Sequence, residues 1–404
     1  MPFEIPENWC WVTGNDIFNA MISCKPQGDE FKYIDIDSID NKNHRIISPK
    51  ILKVKNAPSR ASRYTQPGDV LFSMVRPYLK NIALVEEGSC IASTGFFVCS
   101  PMQLLTSEYC YYMMLSDYVI YGLNQYMKGD NSPSINNGHI TSWLYPIPPI
   151  NEQLRISAEI KKWFVFIDDL ERGKIELESL IKQVKSTILD LAISGKLVPQ
   201  DPNDEPAIEL LKRINPDFQS CDNSHYENIE FDIPQNWVWA TIGDIFEHNT
   251  GKALNASNLN GTMLDYITTS NLYWDRFELS IIKQMPFTES EIERCIVRKG
   301  DLLICEGGDV GRAAIWGYDY NIMIQNHIHR LRGKVDICTR YFFYLFMYYK
   351  LHNLIGGKGV AIQGLSSRDL HNLIVPVPSL KEQYDIASSI DLYFSKLDMI
   401  TAEL

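Results

Sequence analysis

The chain has 404 residues, of which 45% are hydrophobic and 22% charged, and its formal net charge at pH 7 is −12. This length favours two domains over one, and no apolar run approaches the roughly 20 residues that a membrane span needs. The first residues lack the basic and apolar regions of a secretory signal, so we expect a cytoplasmic protein. The 9 Cys residues are scattered without a CxxC pair, which indicates reduced thiols and no zinc finger.

The excess of acidic residues argues against nucleic-acid binding, but the basic residues are unevenly distributed. The stretch 41–66 contains no Asp or Glu, and the stretch 321–368 contains Asp336 alone. Two such basic tracts favour phosphate contacts, although a solvated surface is the simpler interpretation of either tract by itself. Their cations are Lys42, Arg45, Lys50, Lys53, Lys55, Arg60 and Arg63 in the first tract, and Arg330, Arg332, Lys334, Arg340, Lys350, Lys358 and Arg368 in the second.

The chain starts with an extended segment, IPENWCWVTGNDIF at 5–18, in which Trp9 and Trp11 alternate. Large aromatic residues at the start of an element are typical of a core, and a recognition platform is the alternative. Strands are predicted where β-branched and aromatic runs are bounded by turn residues. They lie at ILKVK (from Ile51), VLFSMV (from Val70), NIALVE (from Asn81) and AAIWGY (from Ala313).

Helical stretches are predicted at 107–123 and 339–354, and a much longer one runs from about 150 to Ser194. The apolar residues of the long helix follow a 3-4 heptad spacing that is interrupted by Lys174, so this helix requires a helical partner. The segment after 379 has the same spacing and is shorter. The predicted coiled-coil seam is Ile167, Leu170, Leu177, Ile181, Val184, Ile188 and Leu191 with Ile390, Phe394 and Leu397.

An internal duplication gives the strongest signal in the sequence. Residues 5–18 match 233–246 at 9 of 14 positions, with Trp237 and Trp239 in place of Trp9 and Trp11. PGDVLFS (from Pro67) then matches KGDLLIC (from Lys299), and YPIPPINEQLRI (from Tyr145) matches VPVPSLKEQYDI (from Val375). Three matches in the same order indicate a duplicated domain of mixed α and β structure.

These matches predict two similar domains and two helices in an antiparallel pair. A helix of 44 residues is about 66 Å long and would hold the domains apart as a spacer. The alternative is a helical hairpin that is needed only for folding. The polar, Pro-containing run after Gly195 predicts a linker between the helix and the second copy.

No motif for catalysis is found. The sequence lacks GxxxxGK[ST], and the string IPPI at 147–150 lacks the amide or carboxylate and the aromatic of an adenine methyltransferase motif. GGDVG (from Gly307) and GGKGVAIQG (from Gly356) are either loops that approach DNA or plain turns. His327 and His329 would share one face of a strand, but a third metal ligand is missing.

The motifs quoted above resemble those of type I restriction-modification specificity subunits over almost the whole chain. The junction AISGKLVPQDPNDEPAIELLKRI (from Ala192) is also very similar to that family. The resemblance implies an α+β protein with two tandem homologous target-recognition domains joined by long antiparallel coiled-coil spacer helices. Its boundaries would be 1–150 for the first domain, 151–196 for the central spacer helix, 197–232 for the linker, 233–378 for the second domain and 379–404 for the distal helix.

The resemblance further implies that each domain reads half of a split DNA target and that the helices set the gap and dock two methyltransferase subunits. Restriction subunits would be further partners, and no cofactor, metal or enzymatic activity is expected in this chain. From the basic tracts we expect DNA contacts from Lys50, Lys53, Lys55, Arg60, Arg63, Arg330, Arg332, Lys334 and Lys358. The rival interpretations are a self-contained methylating enzyme and a coiled-coil scaffold that binds proteins only.

Overall fold

The structure is a computed structural model that describes residues 2–221, 232–254, 260–355 and 365–404. It divides into two compact units, residues 1–171 and 172–404. Each unit combines helices with small sheets, so the predicted α+β class is confirmed. None of the helices in the described ranges is long and apolar enough to span a membrane.

The first unit begins with ten strands and one short helix, and continues with helices that flank one last strand. The strands are β1 (Cys10–Thr13), β2 (Glu30–Ile34), β3 (Ile39–Asp40), β4 (Arg45–Ile46), β5 (Lys50–Lys53), β6 (Ala61–Thr65), β7 (Val70–Ser73), β8 (Ile82–Leu84), β9 (Cys90–Ser93), β10 (Phe96–Cys99) and β11 (Leu144–Ile147). The helices are α1 (Gly14–Ile17), α2 (Ser107–Leu115), α3 (Asp117–Asn124), α4 (Asn137–Ser142) and α5 (Ile150–Ile193), whose last part belongs to the second unit.

The second unit repeats this order of elements. Its strands are β12 (Val238–Thr241), β13 (Phe246–Thr250), β14 (Thr262–Ile267), β15 (Leu272–Tyr273), β16 (Arg276–Phe277), β17 (Lys283–Phe287), β18 (Ile296–Val297), β19 (Leu302–Cys305), β20 (Ala313–Ile315), β21 (Ile322–Ile324), β22 (Ile328–Gly333) and β23 (Ile374–Val377). Its helices are α6 (Ala207–Lys212), α7 (Ile242–Ile245), α8 (Glu289–Cys295), α9 (Thr339–Leu351), α10 (Ser367–His371) and α11 (Leu380–Glu403).

The sheets of the two units correspond strand by strand. The order β5-β2-β9-β6 in the first unit becomes β17-β14-β21-β18 in the second, and β10-β7-β8 becomes β22-β19-β20 with β13 added at its edge. The first and last strands also pair in both units, as β1 with β11 and β12 with β23. The duplication found in the sequence is therefore a duplication of topology.

Strand register gives a residue-by-residue correspondence where the sequences differ. Tyr33 pairs with Lys50 on one side and with Ile91 on the other. Tyr266 pairs in the same two ways with Lys283 and Met323. Lys50 and Lys283 are thus equivalent positions.

The repeated sequence motifs perform local structural tasks. In both units the threonine that ends the first strand forms a capping box with an aspartate, and the backbone N–H groups of Thr13 and Thr241 donate to Asp16 and Asp244 at 2.9 and 2.8 Å. This box begins the short helices α1 and α7.

The Gly-Asp motif before β7 and β19 is a turn. Gly68 and Gly300 have φ of 93° and 92°, values that favour glycine. The next residue, Asp301, accepts a hydrogen bond from the backbone N–H of Arg298 at 2.7 Å, and Asp69 accepts the equivalent bond from Gln66 at 2.9 Å.

The Glu of the repeated Glu-Gln motif connects each spacer helix to the first strand segment of its unit. The indole N–H of Trp9 donates to Glu152 at 3.1 Å, and that of Trp237 donates to Glu382 at 2.7 Å. Burial raises the pKa of Glu382, which the hydrogen bonds from Trp237 and Gln200 partly offset.

The Gln of the same motif links the segment before a core helix to the segment that leads into the spacer helix. The buried Gln383 side chain accepts from the backbone N–H of Cys338, just before α9, and donates to the carbonyl of Pro378, both at 3.0 Å. Gln153 repeats these bonds with Thr106 at 2.8 Å and with Pro148 at 2.9 Å. We call Glu152–Gln153 and Glu382–Gln383 the Glu-Gln clamps.

The alternating Trp residues belong to the core, as predicted, in the second unit only. Trp237 and Trp239 are buried in the main core cluster of the second unit. Trp9 and Trp11 are half-buried, and Trp11 contacts the rings of Phe3 and Tyr118 edge-on.

The long helix predicted from 150 to about 194 is confirmed as α5, which has 44 residues, whereas α11 has 24. Within the second unit the two helices are antiparallel, because Lys174 donates to the Leu404 carbonyl and Lys185 pairs with Asp398. Gly195, with a φ of 68°, ends α5. The helix predicted at 107–123 is broken at Ser116, which caps α3.

The predicted seam differs from the buried stripe. Ile181 and Ile390 are buried, and Leu177, Ile188, Phe394 and Leu397 are half-buried. The remaining members, Ile167, Leu170, Val184 and Leu191, are exposed in each unit taken by itself. Near the end of α5 the core residues are Leu189, Ala192 and Ile193, which pack with Ile386. The heptad spacing predicted Ile188 and Leu191 instead, one position before Leu189 and Ala192.

Part of the segment predicted as a linker, 197–232, folds onto the second unit. Ala207, Leu210 and Leu211 of α6 are buried in its main core, and Phe218 joins them. Residues 222–231 lie outside the described residues. The sequence predicted a linker because polar residues outnumber the few apolar residues that pack into the core.

We predict that Gln383→Ala lowers the free energy of unfolding of the second unit by about 2–4 kcal/mol, because a buried N–H and a buried carbonyl lose their partner. Urea unfolding of the full chain, followed by Trp fluorescence, measures this change. The control is Gln183→Ala on the exposed side of α5, which we expect to change stability by less than about 0.5 kcal/mol. Equal stabilities of the two variants would contradict the role assigned to Gln383.

Candidate nucleic-acid interface

The basic tract of the first unit lies on an edge strand and the turn that follows it. β5 is the outer strand of its sheet, and Lys53 on this strand and Lys55 and Arg60 after it are exposed. We call these three residues the basic ridge. Lys53 and Lys55 also line an open groove of about 860 Å³ together with Asp29 and Glu30. The groove therefore has mixed charge.

The other two cations predicted in this tract are less available. Lys50 is exposed but forms an ion pair with Asp35, and this hydrogen bond raises the pKa of Lys50. Arg63 is half-buried in β6, and its Nε has no hydrogen-bond partner among the described residues. The first tract thus offers a smaller cationic surface than its sequence suggests.

The second predicted tract is mainly a set of internal ion pairs. Arg330 is fully buried, donates to Glu247 at 2.7 Å and to the Ile296 carbonyl at 2.8 Å, and burial lowers its pKa. Arg332 donates to both oxygens of Asp301 at 2.7 and 2.6 Å, and these hydrogen bonds raise the pKa of Arg332. The structure leaves neither guanidinium free for a phosphate.

The reason for this difference is the position of the strand. β22 is an inner strand of the order β13-β22-β19-β20, and its first four residues are all buried, so both faces of the strand are covered there. Lys334, directly after β22, is exposed, but its Nζ donates a hydrogen bond to the Gly243 carbonyl. Lys358 lies outside the described residues. A count of charges along the sequence does not distinguish an inner from an outer strand.

The two tracts are also not equivalent in the repeat. β5 corresponds to β17 by register, and there Lys283 occupies the position of Lys50. Lys283 is exposed and forms no ion pair with the described residues. Sequence reasoning missed it because it stands alone among uncharged residues, and only the pairing of the strands relates it to the first tract.

His327 and His329, which the sequence suggested as the start of a metal site, have different environments. His327 is exposed, with Nδ1 3.7 Å from Glu306. His329 is buried, and its Nε2 lies 2.7 Å from the Leu365 carbonyl, so that nitrogen carries the proton. The described residues contain no group of three or more His, Cys, Asp or Glu arranged to hold a metal ion.

The neutral His329 accepts a hydrogen bond from a second histidine. Its Nδ1 lies 3.0 Å from Nε2 of His248, which must therefore be the donor. Burial lowers the pKa of His248 to about 4, and the nearby His329, His371 and Arg330 add to this effect. The pair is an uncharged connection between the half-buried His248 on β13 and the buried His329 on β22.

The loop GGDVG connects β19 to β20. Gly308 and Gly311 have φ of 75° and 84°, and a Cβ on Gly311 would lie 2.6 Å from the Ile355 side chain. Gly311 is thus required for packing. A Cβ on Gly308 would meet nothing within 4 Å. The second glycine-rich loop, 356–364, lies outside the described residues.

Comparisons with known proteins agree with this duplicated architecture. Residues 234–404 match the family model described as the type I restriction modification DNA specificity domain. The EcoAI specificity subunit of Escherichia coli is 21% identical over 96% of this chain and 78% of its own length. The EcoEI specificity subunit of the same species is 22% identical over 100% of this chain and 80% of its own length.

Two solved structures share the fold. The HsdS subunit from Thermoanaerobacter tengcongensis has a TM-score of 0.69 and 23% identity, and the match covers 100% of this chain and 93% of that one. A chain from a type I restriction-modification system, solved to explain complex assembly and conformational transition, has a TM-score of 0.71 and 22% identity, with coverage of 100% and 94%.

Residues 234–404 therefore form a domain of the DNA-specificity class. Over its whole length the chain is similar to type I restriction enzyme specificity subunits.

We predict that the second unit loses stability as the pH falls from about 6.5 to about 4, because His248 takes up a proton more readily in the unfolded chain than in the folded one. The stability contributed by the neutral His248 is fully present above the ordinary histidine pKa of 6.5. It declines as the pH falls toward the pKa of about 4 that His248 has in the folded chain. His248→Gln should make this dependence shallower in urea unfolding experiments. His327→Gln, at an exposed position, should leave it unchanged, and identical pH profiles for all three proteins would contradict the assignment.

Proposed function

We propose that this chain is the DNA-recognition subunit of a type I restriction-modification complex, in which each unit binds one half of a two-part DNA target. One observation carries the proposal: a single topology occurs twice in a chain whose second copy matches a DNA-specificity domain. A reader of two half-sites needs two similar domains whose exposed surfaces differ. The unequal distribution of cations in the two units supports that requirement.

In this proposal the first unit binds the DNA backbone through the basic ridge. Lys53, Lys55 and Arg60 are exposed on and after an edge strand, where the duplex can approach without clashing with a neighbouring strand. Such contacts are local, so they are compatible with a net charge of −12. In the second unit Lys283 takes the position of the first tract, and Arg330 and Arg332 are withdrawn from the proposed interface.

The helices α5 and α11 would set the gap between the half-sites and bind two methyltransferase subunits, with restriction subunits as further partners. Exposed apolar side chains on α5 support a protein partner there, since Trp163, Phe164 and Phe166 are 59, 50 and 53% exposed. The chain itself would perform no reaction. The methyl transfer and any cleavage would belong to the partner subunits.

We predict that Lys55→Ala weakens binding to duplex DNA and lowers the magnitude of the slope of log affinity against log salt concentration by about 0.9, as expected for one lost phosphate contact. Fluorescence anisotropy with a labelled duplex at several salt concentrations measures both quantities. The full chain is used, alone and with methyltransferase subunits.

Lys161→Ala, which removes an exposed cation from α5, is the matched control and should leave the slope unchanged. An unchanged slope for Lys55→Ala would remove this residue from the interface. The absence of any DNA binding by the wild-type chain at low salt, alone and in the complex, would instead favour the scaffold interpretation.

We predict that exchanging residues 1–150 for the matching part of a relative changes one half of the methylated target and leaves the other half unchanged. Each unit has its own core and its own Glu-Gln clamp, so each can fold without the other. The measurement is sequencing of modified adenines after incubation of the complex with S-adenosylmethionine and genomic DNA. Changes in both halves would contradict independent reading, and methyl transfer by the chain alone would contradict its non-enzymatic role.

A further inference from the structure

A small hairpin in each unit presents an arginine at the same register position. In the first unit β3 pairs with β4, and Arg45, the first residue of β4, faces Asp40 across the ladder. In the second unit β15 pairs with β16, and Arg276, the first residue of β16, faces Tyr273. Both hairpins precede the edge strand of their sheet, β5 or β17, so the two arginines are equivalent positions.

The surroundings of the two hairpins are also equivalent. In the first unit the hairpin contacts the loop between β7 and β8, where Asn41 donates to the Leu79 carbonyl and His44 contacts the Lys80 carbonyl, both at 3.1 Å. In the second unit the hairpin contacts the start of β20, because the backbone N–H of Asp275 donates to the Ala313 carbonyl at 3.2 Å. The hairpins that carry the two arginines thus contact corresponding parts of their units.

Neither guanidinium group forms an ion pair, although an acidic residue lies near each one: Asp40 faces Arg45 across the ladder, and Glu278 is close to Arg276. Arg45 and Arg276 are exposed, and neither forms an ion pair with any described residue. Three buried or half-buried arginines of the second unit differ, since Arg330, Arg332 and Arg340 all pair with carboxylates. In a chain with a net charge of −12, an unpaired arginine at the same position in both units is available to an external anion.

Arg276 is in addition held in place by an aromatic ring. Its Cζ lies 4.8 Å from the centre of the Tyr273 ring, and the Cζ of Arg312 lies 5.1 Å from the same centre. Stacking limits the motion of a planar guanidinium and leaves the N–H groups at its edge able to donate. These groups match the oxygens of a phosphate in a bidentate arrangement.

We propose that Arg45 and Arg276 are equivalent DNA-backbone anchors, each holding one phosphate at the same point of its half-site. The inference rests on the proposed function and adds a contact outside the basic ridge. The argument for a phosphate contact is that Arg45 and Arg276 occupy equivalent positions in the repeat. Two units that read different sequences share only the sugar-phosphate backbone as a common ligand, so a side chain that the repeat presents twice fits the backbone better than a base.

The test uses the full chain, a random-sequence duplex and a range of salt concentrations. Arg45→Ala and Arg276→Ala should each lower the magnitude of the salt slope by about 0.9, and the double variant by about 1.8. Arg276→Lys should retain the wild-type slope because it retains the charge. Lys396→Ala, an exposed cation on α11, is the control and should also retain it.

A second variant tests the positioning by the aromatic ring. Tyr273→Leu should weaken binding about two- to five-fold, which corresponds to the loss of one exposed cation–π contact, without changing the salt slope. Selection from a random duplex pool should recover the same half-site sequences for all these variants. A changed half-site with Arg276→Ala would show a base contact and overturn the backbone role.

The possible failures are distinguishable. If the wild-type chain binds DNA with a steep salt dependence but the folded Arg45→Ala and Arg276→Ala variants keep its slope, the inference fails and the proposed function stands. If the wild-type chain and its complex bind no DNA, both fail together. Circular dichroism of each variant establishes that it is folded.

Discussion

The architecture depends on the Glu-Gln clamp that begins each spacer helix. Its glutamate accepts a hydrogen bond from the indole N–H of the tryptophan near the first strand of the unit. Its glutamine joins the end of the last strand to the segment before a core helix. Most of these groups are buried, so leaving one unpaired would cost about 1–3 kcal/mol. The clamp therefore fixes where the chain enters the unit, where it leaves and where the spacer helix starts.

This arrangement separates the frame of each unit from its surface. The capping boxes, the Gly-Asp turns and the clamps are shared by both units and have their partners inside the same unit. The exposed cations that we propose as DNA contacts lie elsewhere, on or after edge strands and on small hairpins. A frame closed in this way tolerates different surfaces, which is the property that a reader of two unlike half-sites requires.

The sequence was sufficient for the duplication, the mixed class, the long helix and the burial of Trp237 and Trp239, because these depend on local pattern. It was insufficient for the second basic tract, where Arg330 and Arg332 are bonded to Glu247 and Asp301 on neighbouring elements. Charge density along a chain contains no information about which strand is inner. Lys283 and Arg276 were missed for the converse reason, since only strand register relates them to Lys50 and Arg45.

The central claim is that each clamp closes its own unit, and amide hydrogen exchange on the full chain tests it most directly. In Gln153→Ala, protection should fall in β1, β11 and the start of α2, while β12, β23 and α9 keep the protection they have in the wild-type chain. In Gln383→Ala the loss should be confined to the second set. Loss of protection in both units from either substitution, or in neither unit, would contradict the account.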